Sequence, residues 1–192
     1  MIKAYFFDWM GTLGEASGGF DIKEKFGRDY HRELLVKKLE DVDALEKDKI
    51  ETASMLRDST LWLYPESQKL ISELKPNYKL AIISNIYGIT EQKIRETFPS
   101  LLSNFDVITF SSEVGLRKPD PRIFTYTLNK LNMIYNENIQ PNEVVMVGDK
   151  KDKDIDPPIE LGMNAILINR DNGSTLEDVL IKRHQKNKKN QK

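Results

Sequence analysis

The chain has 192 residues, enough for one α/β core with a modest insertion. Hydrophobic residues make up 39% and charged residues 31%, the balance of an ordinary globular protein. A net charge of −1 provides no global field to attract nucleic acid or an anionic membrane, and the absence of cysteine excludes disulfide and thiolate chemistry.

The first residues run straight into a strand-like stretch without the form of a signal peptide. No apolar run approaches the roughly 20 residues needed to span a bilayer. A cytoplasmic protein is expected. Ala4 to Phe7 is a short apolar run that stops at Asp8 and is followed by Gly11, the pattern of a buried central strand ending in a loop. From Phe20 to Leu63 there is no convincing strand. Leu34, Leu35, Leu39, Val42 and Leu45 fall at roughly helical spacing, so this stretch reads as a helical insertion. Leu61 to Pro65 is the expected return to the core, with Trp62 and Tyr64 at the junction.

Pro65 to Leu74 has Leu70, Ile71 and Leu74 on one helical face. Leu80 to Ile83 is a strand, and Thr90 to Phe98 a helix with Thr90 as its N-cap. Val107 to Phe110 is a strand, and Pro121 to Met133 a helix capped by Asp120. Val144 to Val147 and Ala165 to Ile168 complete about five strands, with Asp156 capping a short helix at Pro157 and Pro158. Continuous apolar runs alternating with helices predict a parallel sheet covered on both faces. The expected fold class is α/β, with a Rossmann-like three-layer core at 1–13 and 65–180 and a small all-helical cap at 14–64. Residues 181–192 carry six Lys/Arg and nothing to bury, as expected of a solvated basic tail.

Ligands of an open parallel sheet collect at the C-terminal ends of its strands. There the sequence places Asp8, then Ser84-Asn85, then Ser111-Ser112 and Lys118, then Gly148-Asp149 with Asp152 and Asp154. A carboxylate can attack phosphorus and form a covalent intermediate. Phosphate and carboxylate repel, so a hard cation must lie between them, and Mg²⁺ is usually held by one or two carboxylates plus the substrate phosphate. Asp8 and Asp149 can supply those, and Lys118 can neutralise the crowded anions.

In this order the residues resemble the haloacid dehalogenase superfamily. Asp8-Trp-Met-Gly-Thr12, Ile82-Ile-Ser84-Asn85, Lys118-Pro-Asp-Pro121 and Val147-Gly-Asp149 with Asp154 resemble its four motifs and cover nearly the whole chain. The resemblance implies Asp8 as nucleophile and Lys118 as its catalytic partner. It implies Thr12, Ser84, Asn85 and Lys118 on the phosphoryl group, and Mg²⁺ on Asp8, Asp149 and the backbone carbonyl of Met10. Asp154 would stand behind these ligands, and the substrate would be a small phosphorylated molecule.

Family phosphatases carry a second Asp two residues after the nucleophile, and this chain has Met10 there. Methionine neither donates nor accepts a proton usefully. Three readings stay open: a hydrolase whose leaving group is good or protonated from elsewhere, a 2-haloacid dehalogenase, and a binding protein with little turnover. The first includes phosphonatases, which use a cap lysine, and Lys23, Lys25, Lys37, Lys38, Lys47 and Lys49 are candidates, although solvated helix faces explain them as well. Gly148-Asp149 argues against the dehalogenase. His31 reads as a surface helix residue or a replacement acid, and Trp9 as a loop anchor or a substrate contact; His184 falls in the tail.

Overall fold

The structure is a computed structural model that describes residues 1–17, 28–37 and 58–180. The chain opens with β1 (Ala4–Phe7), β2 (Gly14–Ser17), α1 (Arg28–Leu34) and β3 (Thr60–Leu63). It continues with α2 (Ser67–Leu74), β4 (Lys79–Ser84), α3 (Gly88–Thr97), α4 (Pro99–Leu102), β5 (Val107–Phe110), α5 (Ser111–Val114) and α6 (Arg122–Tyr135). Last come β6 (Val144–Gly148), a π-helical turn (Lys151–Ile155), α7 (Asp156–Glu160) and β7 (Asn164–Leu167).

Five strands form one parallel sheet in the order β5-β4-β1-β6-β7. The chain moves outward from β1 to β5, then returns to the other side of β1 for β6. That reversal puts a crevice at the C-terminal end of β1. Phe7 is level with Ile82 on one side and Val147 on the other, so Asp8, Ser84 and Asp149 leave the sheet at one edge.

Alternation along each strand feeds two cores. Tyr5, Phe7, Leu80, Ile82, Val145 and Val147 pack on one face with Ile71 of α2 and Ile94 of α3. Ala4, Phe6, Ala81, Ile83, Val144 and Met146 pack on the other with Ile123, Phe124 and Leu128 of α6. Burial on both faces is the reason these strands read as unbroken apolar runs. Among the described residues, no helix is long and apolar enough to cross a membrane.

Four expectations change, one of them at Asp156, which lies inside α7 with Ile155 at the cap position. The ends of the insertion are strands, because β2 and β3 pair antiparallel with Gly14 opposite Leu63 and Ser17 opposite Thr60. A Cβ on Gly14 would lie 2.5 Å from the Trp62 carbonyl, so glycine lets the two strands close. Trp62 is 41% exposed, while Tyr64 packs at the junction with the Arg170 guanidinium 3.7 Å above its ring. Finally, α3 begins at Gly88, and Thr90 is a buried helix residue where an N-cap was expected. Ile89 and Ile94, drawn into the core, fix that earlier start. The Asp120 cap is present in substance, since its Oδ1 accepts from the Arg122 amide at 2.9 Å. Leu39, Val42, Leu45, five of the six insertion lysines and the tail lie outside the described residues.

Phe7 is fully buried, with ring contacts to Tyr5 at 6.2 Å and Phe105 at 6.3 Å. Phe7→Ala is expected to cost about 3–5 kcal/mol in urea denaturation, from lost transfer energy and the cavity left behind.

Candidate active site

Asp8 follows β1 directly, and its amide still bonds the Val147 carbonyl at 2.9 Å, so the residue inherits the rigidity of the sheet. Its Oδ1 accepts from Ser84 Oγ at 2.6 Å, the Trp9 amide at 2.8 Å and Lys118 Nζ at 2.9 Å. Oδ2 receives no hydrogen bond among the described residues. One oxygen is therefore anchored and the other is available.

Lys118 is 1% exposed and also meets Asp154 Oδ1 at 2.5 Å. Asn85 holds the lysine in place: its Oδ1 accepts from the Lys118 amide and its Nδ2 donates to the Lys118 carbonyl, both at 2.8 Å. Asp154 is fully buried, and its Oδ2 accepts from the Lys150 amide at 2.9 Å. Gly148 makes room for it, since a Cβ there would sit 2.4 Å from the Asp154 side chain.

These burials set the protonation states. Desolvation alone would lower the Lys118 pKa, but Asp8 and then Asp154 outweigh it and hold the ammonium above its ordinary range. Desolvation raises Asp154, the Asp8 charge raises it further, and Lys118 opposes both; the result is pushed up to about 6. The two upward shifts follow from one charge count. Two carboxylates share one ammonium, so the cation is amply compensated and the deepest acid is left short.

The loop after Asp8 is a tight turn. The Trp9 carbonyl accepts from the amides of Thr12, Leu13 and Gly14. Gly11 has φ +70°, and a Cβ on it would lie 2.4 Å from Asp149 Oδ2, so both conformation and contact require glycine. Trp9 is buried, 5.6 Å from the Phe98 ring, and acts as a loop anchor.

A cleft of about 250 Å³ opens here, lined by Asp8, Met10, Gly11, Glu15, Ser84, Asn85, Lys118, Asp149, Lys150 and Lys153. Most residues singled out in the sequence converge on it, but two differ from expectation. Thr12 does not line the cleft; its hydroxyl is buried without a partner and its carbonyl is held by Arg170. Asn85 lines the cleft with its amide committed to Lys118, so it positions the lysine. Glu15, Lys150 and Lys153 were not singled out. The lysines carry a faint signal, lying just past the strand that ends at Gly148; Glu15, on a short strand after a glycine, carries none. His31 does not line the cleft, and its Nδ1 meets the Tyr87 hydroxyl at 2.5 Å. Lys37 pairs with Glu33 at 2.5 Å.

The site fits a hard divalent cation. One carboxylate oxygen each from Asp8, Asp149 and Asp154 lies within 4.8 Å of the others. Both Asp154 oxygens are already engaged, by Lys118 and the Lys150 amide. That leaves Asp8 Oδ2, Asp149 and the Met10 carbonyl, which receives no hydrogen bond among the described residues. All are oxygen donors of the type Mg²⁺ takes.

Comparison with known proteins gives the family and the fold. Residues 2–162 match the haloacid dehalogenase-like hydrolase family, and the chain belongs to it. Over 110 residues, 56% of this chain, it is 31% identical to a phosphoserine phosphatase of Thermus thermophilus. Over 118 residues, 60% of this chain, it is 36% identical to a glyceraldehyde 3-phosphate phosphatase of Methanocaldococcus jannaschii. The matches span 41% and 48% of those two relatives, under half their length. A crystal structure of a HAD family enzyme from Bacteroides thetaiotaomicron, in complex with magnesium and inorganic phosphate, shares the fold at TM-score 0.69 and 19% identity, covering 92% of this chain and 98% of that one.

An acid whose pKa is raised on folding, from 3.8 to about 6 for Asp154, favours its neutral form in the native state. Its contribution is present below pH 4 and lost as pH rises through 6. Between those limits the metal-free protein is expected to lose roughly 2–3 kcal/mol relative to Asp154→Asn. Urea denaturation of both proteins with EDTA checks this; parallel pH profiles would contradict it.

Proposed function

We propose that the chain is a magnesium-dependent hydrolase of a small phosphorylated substrate, working through an aspartyl-phosphate on Asp8. The carrying observation is the asymmetry of the Asp8 carboxylate. Three donors fix Oδ1, while Oδ2 stands free in a cleft that also holds Lys118. In this reading the Asp8 carboxylate attacks phosphorus and the bond to the leaving group breaks, after which water releases phosphate from Asp8.

Asp8, Asp149 and the Met10 carbonyl would hold Mg²⁺, which when bound neutralises the repulsion between phosphate and carboxylate. Lys118 and Ser84 keep the attacking carboxylate oriented, and Lys118 and Lys153 offset phosphoryl charge. Asn85 and Asp154 fix Lys118. A cleft of about 250 Å³ suits a small substrate, and the named relatives are phosphatases of small metabolites. We assign residues 14–64 as the cap segment, because its two ends, β2 and β3, meet beside the cleft at Glu15. The lack of cysteine fits a reducing cytosol.

The protein is expected to hydrolyse acetyl phosphate and p-nitrophenyl phosphate with Mg²⁺ in a phosphate-release assay. Asp8→Asn or excess EDTA is expected to bring turnover to background. Metal-independent turnover, or none across phosphate esters, acyl phosphates and phosphonates, would contradict the assignment.

A further inference from the structure

We propose that Glu15 is the acid/base group of this site, giving a proton to the departing oxygen and then taking one from the water that frees phosphate from Asp8. The proposal rests on the hydrolase reading above and adds the residue that reading lacks. Met10 has no proton to give. Among the described residues, three carboxylate side chains line the cleft: Asp8, Glu15 and Asp149. Asp8 is the nucleophile. Asp149 lies against Gly11 and pairs with Lys150 at 2.5 Å. Glu15 remains.

Its placement suits the role. Glu15 sits on β2, immediately beyond the turn that carries Met10, and is half-buried. Its contacts are long: Oε1 accepts from the Ala16 amide at 3.2 Å and Oε2 from the Tyr64 hydroxyl at 3.5 Å. They hold the carboxyl without occupying it fully. The antiparallel pairing of β2 with β3 fixes its direction, with Glu15 opposite Trp62. The cleft lysines do not substitute, because an ammonium has three donors and no acceptor with which to take a proton from water.

The steps balance. As the Asp8 oxygen bonds to phosphorus, the phosphorus–oxygen bond to the leaving group breaks, and that oxygen takes the Glu15 proton. Water then bonds to phosphorus, its proton returns to the Glu15 carboxylate, and the bond from phosphorus to Asp8 breaks. Alcohol and phosphate leave, and Glu15 is again protonated.

The test is rapid-mixing kinetics of Glu15→Gln and Glu15→Ala in the full chain with Mg²⁺, on ethyl phosphate and p-nitrophenyl phosphate. Ethoxide needs an acid to depart and nitrophenolate does not. Both variants are expected to lose ethyl phosphate turnover by about 10²–10⁴-fold without a burst. With p-nitrophenyl phosphate they are expected to release a stoichiometric burst of nitrophenolate and then stall. Adding Met10→Asp to Glu15→Gln is expected to restore ethyl phosphate turnover, which a merely structural loss would not allow. A folded Glu15→Gln or Glu15→Ala protein with unchanged ethyl phosphate turnover would overturn the assignment of Glu15 alone. A wild-type protein inert towards both esters would overturn this proposal, and one inert towards acyl phosphates and phosphonates as well would overturn the hydrolase reading with it.

Discussion

Lys118 carries its charge where water does not reach, with Asp8 at 2.9 Å and Asp154 at 2.5 Å. An ammonium costs several kcal/mol to bury unless carboxylates compensate it. Here the compensation joins distant parts of the chain. Asp8 comes from the end of β1 and Asp154 from the turn after β6, while the lysine precedes α6 and its backbone is clamped by Asn85 at the end of β4. Removing one member would leave a buried charge uncompensated, at a typical cost of 3–5 kcal/mol. The charge arrangement therefore ties together the loops that form the cleft and keeps Asp8 facing one way.

Close approach follows from that arrangement and dictates two glycines. Gly148 lets β6 pass beside Asp154, and Gly11 lets the loop after β1 lie against Asp149. Either Cβ would displace a carboxylate at the site before it disturbed the core. This edge of the sheet is crowded because its acids must converge within 4.8 Å, a separation that like charges tolerate only with compensating cations nearby.

Much of this was legible in the sequence, for physical reasons. A strand buried on both faces must be apolar throughout, so β1, β4, β5 and β6 read as uninterrupted runs. The residues at their ends then fall on one edge by topology alone. Asp8 leaves the sheet between Ser84 and Asp149. The β2–β3 ribbon was illegible, because Gly14–Ser17 is four residues long and contains a glycine and a charge. Its pairing depends on a partner more than forty residues away. The roles of Thr12 and Asn85 could not be read either. Residue type says that a hydroxyl or an amide can bind phosphate, while only geometry shows that Thr12 faces inward and that Asn85 is occupied by Lys118.

Asp8 differs from the other acids of the site in having one oxygen held by three donors and one left free. That asymmetry fixes the carboxylate and leaves an oxygen open to the cleft, which suits the proposed nucleophile. The most direct measurement is phosphopeptide mapping by mass spectrometry after rapid acid quench of the Mg²⁺-loaded protein reacting with p-nitrophenyl phosphate. The expected result is a phosphoryl group on Asp8 that is absent from Asp8→Asn. Phosphate release with no modification of Asp8, or with the phosphoryl group on another residue, would contradict the central claim.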